Sequence, residues 1–347
     1  MTRIKDVAEL ANVSTATVSR ILNNDPSLSV SGETRQRVLD VASELNYVHG
    51  KRKKPKSAPD KEIIRVGLVL TNDEAVDPYF MSIRRGVESV CDQYAVKIES
   101  VFYTGRSRFT ASAMEGLDGL IVLGDVNSEE LRSLFGNDHI IFADYQPAEE
   151  GFDVVITDFE SATRRMMDTL LEAGHTVIAY IGGERLIQSI HAGNGHLMPK
   201  EETRVRTYEQ VMRDKGLFDP ELVLLGDFSP MSGYQLMKQL IDQGSSPTAV
   251  VMASDPMAIG AMKALQEAGI RVPDDMAMFS FDDIDSAAFL NPPLSTVKVH
   301  TEEMGRTAVK LLVDRLRNGR TLPMKVILPS ELMIRESAGR VYNKGGQ

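Results

Sequence analysis

Three aspartates stand just beyond short, mostly apolar strand-like runs. They are Asp144 after Ile140-Ile141-Phe142-Ala143, Asp255 after Val250-Val251-Met252-Ala253-Ser254, and Asp282 after Phe279-Ser280-Phe281. A carboxylate accepts hydrogen bonds from two neighbouring hydroxyls, which is the pattern a sugar presents. Arg204 offers the complementary donors, and Phe228 offers a ring face for the apolar side of a sugar. The competing reading is local, because an aspartate at a strand end often caps the next helix. A second group lies near the amino terminus, where Thr15, Ala16, Ser19 and Arg20 share the outward side of a short predicted helix. Arg20 can form the bidentate contact to guanine, and the methyls of Thr15 and Ala16 can sense thymine methyls. Ser14, Thr17 and Ser19 suit phosphate contacts, which position a helix without reading sequence.

Catalytic chemistry is not visible. The chain has no Gly-x-Ser-x-Gly elbow and no Gly-x-x-x-x-Gly-Lys phosphate loop, and Gly182-Gly183 is too short to suggest either. With Cys91 as the one cysteine there is no intramolecular disulfide and no cysteine-based zinc site, so Cys91 reads as a small, partly buried hydrophobe. His191 and His196 have no partner set for a metal and read as solvent-facing. The expectation is a chain that is no enzyme and needs no metal or cofactor.

The elements that position the amino-terminal group are three helices. Ile4, Val7, Ala8 and Ala11 follow the i, i+3, i+4, i+7 spacing of one apolar face. Asn12-Val13-Ser14 breaks that pattern, and the Ser14 hydroxyl is placed to cap a second helix that buries Val18, Ile21 and Leu22. After Asn23-Asn24-Asp25-Pro26, Ser31 caps a third helix with the stripe Val38, Val41, Ala42, Leu45. Two short helices joined tightly and clamped by a third is the geometry that inserts a helix into a major groove.

From Ile63 the pattern changes. Strand-like runs over 64–70, 96–102, 120–123, 140–143, 176–181, 222–225, 249–253 and 276–281 alternate with amphipathic segments over 79–94, 160–173, 203–215, 232–243, 256–268 and 302–317. Such alternation predicts parallel sheets covered on both faces, with ligands beyond the carboxyl ends of the strands. That rule is what singles out Asp144, Asp255 and Asp282.

Charge divides along the same line. The chain carries a formal −10, yet its first 58 residues are net +4 and the rest net −14. The basic segment ends in Lys51-Arg52-Lys53-Lys54-Pro55-Lys56, a run suited to gripping phosphates. An acidic body is repelled by DNA, so binding must be concentrated in the head. No run is long and apolar enough to span a bilayer: the best, Ile63 to Leu70, is short and contains Arg65. Asp6 and Glu9 stand where a signal peptide would be apolar, so a cytoplasmic location without membrane attachment is expected.

A family resemblance follows. Ile4-Lys5-Asp6-Val7-Ala8, Val13-Ser14-Thr15-Ala16-Thr17-Val18-Ser19-Arg20-Ile21-Leu22-Asn23 and Leu45-Asn46-Tyr47 resemble the signature of the lactose-repressor (LacI/GalR) family. Asp255-Pro256-Met257-Ala258-Ile259-Gly260, Phe281-Asp282-Asp283 and Pro292-Pro293-Leu294-Ser295-Thr296-Val297 resemble motifs of its body. Two departures stand out. Asn12 occupies a turn position where the family has glycine, and asparagine tolerates the left-handed region best among residues with a side chain. In place of a hinge helix with a minor-groove leucine, this chain has His49-Gly50 and the basic run, with Gly50 and Pro55 poor for a helix.

The resemblance implies a helix-turn-helix head over 1–48, a basic linker over 49–61, and a body over 62–341 that binds effector and dimerises. That body is expected as two doubly wound lobes like a periplasmic sugar-binding protein, lobe one from 62–159 and 297–323, lobe two from 160–296 and 324–341. The family's effector positions fall on Thr71, Asp144, Arg204, Phe228, Asp255 and Asp282. The stretch from Asp77 to Glu88 resembles the branch of galactose-operon and evolved β-galactosidase repressors. The implied function is a repressor of a sugar-utilisation operon, a homodimer on double-stranded operator DNA, released when galactose or a β-galactoside binds between the lobes. Pairing of dimers into tetramers is left open. The alternative is a catabolite-type regulator controlled by a phosphorylated carrier protein.

Overall fold

The computed structural model describes residues 4–22, 28, 30–45, 62–71, 77–191 and 197–341. It divides between Glu62 and Ile63 into two compact units.

The first unit is α1 (Ile4–Leu10), α2 (Thr15–Leu22) and α3 (Gly32–Glu44). Asn12 lies at φ 50° in the linking turn, so asparagine does there what a glycine would. The Ser14 Oγ accepts from the Thr17 N–H at 3.1 Å, and the Ser31 Oγ from the Thr34 N–H at 3.2 Å, so both serines cap the helices the sequence assigned them. Val7, Ala8, Ala11, Val18, Ile21, Val38 and Ala42 form one core, with Val41, Leu22 and Leu45 packed against it. The Arg37 guanidinium donates to the Ala11 carbonyl at 3.1 Å, tying α3 to the turn.

The second unit contains two six-stranded sheets. The chain runs β1 (Ile64–Leu70), α4 (Pro78–Tyr94), β2 (Val96–Tyr103), β3 (Gly119–Leu123), α5 (Ser128–Phe135), β4 (Ile140–Ala143) and β5 (Asp153–Thr157). It continues with α6 (Phe159–Glu172), β6 (Ile178–Gly183), β7 (Arg185–Ile187), β8 (Met198–Lys200), α7 (Thr203–Asp214), β9 (Val223–Gly226), α8 (Pro230–Asp242) and β10 (Ala249–Met252). The last elements are α9 (Asp255–Glu267), β11 (Ala277–Asp282), β12 (Ser295–Val299), α10 (Thr301–Asn318), β13 (Lys325–Leu328) and β14 (Ser330–Met333). One sheet has the order β13-β5-β4-β3-β1-β2, the other β14-β12-β11-β10-β6-β9. All pairs in both are parallel except the edge pair of β12 with β14.

This is the doubly wound pair of lobes anticipated from the alternation of strands and helices. The crossings between lobes differ in place from the sequence reading. The first falls at Asp158, against 159–160 in the sequence reading; β12 belongs to the second sheet and β13 to the first. The chain therefore returns at His300 and leaves again at Pro329, rather than at 297 and 324. β13 is an edge strand with three of its four residues at least partly exposed, so it lacks the apolar run that marks a central strand.

Within each lobe a pair of helices crosses at reciprocal glycines. A Cβ on Gly86 of α4 would sit 2.0 Å from the Glu302 carbonyl of α10, and one on Gly305 would sit 2.1 Å from the Ile83 carbonyl. In lobe two a Cβ on Gly233 of α8 would meet the Met257 carbonyl at 2.2 Å, and one on Gly260 of α9 the Pro230 carbonyl at 1.8 Å. Only glycine permits backbones this close. The returning segments are fastened by Asp153, wholly buried at the start of β5. It binds Arg315 of α10 at 2.5 Å, two nitrogens of Arg320 at 2.9 Å, and the Met324 N–H at 2.6 Å. Cys91 is half-buried on α4, its thiol donating to the Val87 carbonyl at 3.3 Å.

Candidate functional site

On the head, α2 presents Thr15, Ala16 and Arg20 to solvent, with Ser14 exposed ahead of it and Thr17 and Ser19 half-buried. The phase follows from burying Val18 and Ile21, which turns the i and i+1 positions of the preceding turn outward. Lys5, which the sequence reading passed over, shares a shallow surface depression with Asn12, Ser14 and Thr15. Lys51, Arg52, Lys53 and Lys54 lie outside the described residues.

In the second unit a cavity of about 480 Å³ lies where the carboxyl ends of the two sheets face each other. That is within the range of pockets for small organic ligands, roughly 300–1,000 Å³. Thr71 follows β1, Asp125 follows β3, Asp144 follows β4, Phe159 follows β5, Arg185 follows β6, Phe228 follows β9, and Asp282 ends β11. Asp77 accepts from the Tyr79 N–H at 3.0 Å as the cap of α4, with Pro78 in the first turn, so Tyr79 and Phe80 are delivered to the cavity by the start of that helix.

Asp144 is held by a hydrogen bond from the Tyr79 hydroxyl to Oδ1 at 2.7 Å and by Arg185, whose Nη2 reaches the Asp144 carbonyl at 2.7 Å and Oδ2 at 3.2 Å. Burial and the adjacent Asp144 carboxylate push the Tyr79 phenol well above its ordinary range, so it stays a donor. Arg185 also binds Asp125 at 2.6 Å, and Lys200 reaches the other oxygen of Asp125 at 3.1 Å. Arg204 is almost fully buried, its Nε on Glu202 at 2.8 Å and its Nη1 on the Ala253 carbonyl at 2.6 Å. Its guanidinium carbon lies 4.6, 5.3 and 5.5 Å from the ring centres of Phe159, Phe228 and Phe281. Burial works against the charge on Arg204, but Glu202, Tyr180 and Asp282 outweigh it and hold the guanidinium protonated.

Of the six expected effector residues, Thr71, Asp144, Arg204, Phe228 and Asp282 line this cavity. Asp255 does not. It is wholly buried behind the wall, where Oδ1 accepts from the Thr296 hydroxyl at 2.8 Å and Oδ2 from the Ile284 N–H at 2.9 Å. Its own N–H reaches Asp282 at 3.4 Å, so Asp255 positions Asp282 instead of meeting a ligand. Both carboxyls are raised above the ordinary range, Asp282 by burial and by the neighbouring Asp255, Asp255 by burial.

The sequence reading missed Tyr79, Asp125, Arg185 and Gln188, all on the cavity wall. The rule that found Asp144 would have found Asp125, two residues past the recognised run 120–123, and Arg185, two residues past the end of β6. Gln188 carried no such signal, because its place depends on pairing across the lobes. The wall has an acidic surplus, with Asp77, Asp125, Asp144, Glu184, Asp227 and Asp282 against Arg185 and Arg204. Among the described residues no group of three His, Cys, Asp or Glu is arranged to hold a metal, and no helix is long and apolar enough to cross a membrane. His191 is exposed, and His196 lies outside the described residues.

Comparison with known proteins bears on both sites. A family model described as bacterial regulatory proteins, lacI family, matches residues 3–49, and a periplasmic binding protein-like domain matches residues 167–338. The chain is 45% identical over 344 residues to the HTH-type transcriptional repressor MelR of Bacillus subtilis (strain 168), covering 98% of each chain. It is 34% identical over 340 residues to the HTH-type transcriptional regulator GalR of Streptococcus thermophilus, covering 97% of this chain and 99% of that one. A solved structure titled as the complex of the transcriptional regulator CelR with cellobiose superposes with a TM-score of 0.68 at 28% identity, covering 97% of this chain and 100% of that chain.

Proposed function

Because the chain belongs to the lacI family and is a DNA-binding transcriptional regulator rather than an enzyme, we propose that it represses a sugar-utilisation operon and is released by a neutral sugar, galactose or a β-galactoside. The observation that carries this reading is the cavity between the lobes, where Asp144, Asp282 and Arg204 converge beside the Phe228 ring. Carboxylates and guanidinium together offer acceptors and donors for vicinal hydroxyls, and the ring covers the carbon face. The acidic surplus on the wall disfavours phosphorylated sugars, nucleotides and other anions. The complex of CelR with cellobiose is a precedent for a sugar on a regulator of this fold.

In this reading the head binds double-stranded operator DNA as half of a homodimer. Thr15, Ala16 and Arg20 read bases, while Ser14, Thr17, Ser19 and the run Lys51 to Lys54 hold phosphates. The sugar releases the operator only if it binds the DNA-free conformation more tightly, with a coupling of about 1–3 kcal/mol. Calorimetric titration with galactose, lactose and non-galactose sugars tests it, together with operator binding followed by fluorescence anisotropy. Heat on adding a galactoside, with loss of operator affinity, supports the proposal. A flat titration with every sugar would point instead to control by a phosphorylated carrier protein.

A further inference from the structure

Between β6 and α7 the chain departs from the doubly wound pattern. β7 and β8 form a two-stranded antiparallel ribbon, with Arg185 opposite Lys200, Leu186 opposite Pro199 and Ile187 opposite Met198. Both ends of the ribbon belong to lobe two, yet its contacts are with lobe one. The Gln188 N–H donates to the Asp125 carbonyl at 2.9 Å, and its carbonyl accepts from the Asn127 N–H at 2.9 Å, extending the segment after β3 by a bridge. The Gln188 side chain donates to the Thr71 carbonyl at 3.2 Å and accepts from the Thr104 hydroxyl. Glu130 on α5 accepts from the Ser189 hydroxyl at 2.8 Å and the Ile190 N–H at 3.0 Å, and Ile190 is buried in a hydrophobic cluster of lobe one. Lys200 lies 4.1 Å over the Tyr145 ring.

The ribbon thus bridges the cleft, and Glu184, Arg185, Leu186 and Gln188 supply part of the cavity wall. Arg185 uses Nε and Nη2 on Asp125 and Asp144, while its Nη1 has no hydrogen-bond partner among the described residues. A guanidinium fixed at two corners presents its remaining nitrogen in a set direction.

We propose that this ribbon is the length-selecting wall of the effector site: it admits mono- and disaccharides, excludes longer oligosaccharides, and contacts the bound sugar through Arg185. The inference rests on the sugar-effector reading above and adds the size class of the effector. A saccharide chain growing toward the ribbon would meet Glu184, Arg185, Leu186 and Gln188, side chains held by both lobes.

The test uses the full chain and a series of D-galactose and β-galactosyl di-, tri- and tetrasaccharides, titrated by calorimetry. Two variants separate the wall from the fold. Glu130→Ala removes the ribbon's anchor without touching the cavity, and Arg185→Gln removes the contacting group. The unmodified protein should prefer its best mono- or disaccharide over the tetrasaccharide by at least about tenfold. Glu130→Ala should narrow that ratio. Arg185→Gln should weaken the preferred sugar by about tenfold or more, as expected for one hydrogen bond from a charged donor. Tight binding of the tetrasaccharide by the unmodified protein, or an unchanged length ratio in Glu130→Ala, overturns the wall. Wild-type affinity in Arg185→Gln removes its contact. If no sugar of any length binds the unmodified protein, the effector reading itself falls and takes this inference with it.

Discussion

Replacing Asp282 with Asn should make the protein more stable and less responsive at once. Asp282 is 7% exposed, and among the described residues it accepts one long hydrogen bond, from the Asp255 N–H at 3.4 Å. Its neighbour Asp255 is a second buried carboxyl, which together with burial raises Asp282 above the ordinary range. A carboxyl whose folded value is raised lends its stability in the acid form and loses it as pH climbs through that value. The sugar-free protein should therefore lose stability as pH rises above the ordinary carboxylate range, and Asn should flatten that slope. Relief of one under-satisfied buried charge is worth about 1–3 kcal/mol. At about 2 °C per kcal/mol for a body of this size, the melting temperature at a pH where Asp282 is ionised rises by a few degrees. The left-handed backbone at φ 112° accepts Asn about as readily as Asp, so geometry is preserved. Binding moves the other way. Two sugar hydroxyls lose a charged acceptor, each worth about 1.5–3 kcal/mol, so affinity should fall by roughly a hundredfold or more. Scanning fluorimetry across pH and calorimetry with the preferred galactoside read the two effects. A variant that melts lower and binds sugar at the wild-type affinity would refute the argument.

Three further outcomes can be measured. Arg20→Ala should cost about 1–3 kcal/mol at the cognate operator and relax base preference at one position, measured by anisotropy on a set of single-base operator variants. An equal loss on random DNA would reduce Arg20 to a phosphate contact. Changing Lys51, Arg52, Lys53 and Lys54 to Gln should weaken binding to every sequence and flatten its dependence on salt, and an unchanged slope of log affinity against log salt would make the run a bystander. Gly260→Ala should destabilise lobe two by about 1–3 kcal/mol, because the new methyl would meet the Pro230 carbonyl at 1.8 Å. A melting temperature equal to that of the unmodified protein would show that α8 and α9 can move apart freely.

The sequence carried most of the central strands and the three-helix head because both have strong periodic signals. Ile64 to Leu70 and Ile140 to Ala143 are runs of buried residues, and Ser14 and Ser31 announce their helices by cap chemistry. It did not carry the interior strands β5 and β12, nor the edge strands β13 and β14 of mixed exposure, nor α5, a helix of eight residues. The site was legible as far as one rule reached. The carboxyl-end rule placed Asp144 and Asp282 on the wall but says nothing of side-chain direction, so it also selected Asp255, which turns inward to Thr296 and Ile284. Arg204 was named through the family resemblance, while its cage of Phe159, Phe228 and Phe281 comes from three separated segments and has no local pattern.

Signal transfer must use what the lobes can do without deforming. Reciprocal glycines lock α4 to α10 and α8 to α9 at backbone contact, and Asp153 fastens α10 and the approach to β13 onto β5. Packed cores of this kind resist gradual distortion and move as bodies. Freedom then concentrates at the three covalent crossings, Asp158, His300 and Pro329, and at the ribbon contacts of Arg185, Gln188 and Glu130. A ligand touching Asp144 on one lobe and Asp282 on the other changes the energy of their separation, which is the differential contact a two-state regulator requires. A sugar bound by one lobe alone would have no such purchase, however tightly it bound.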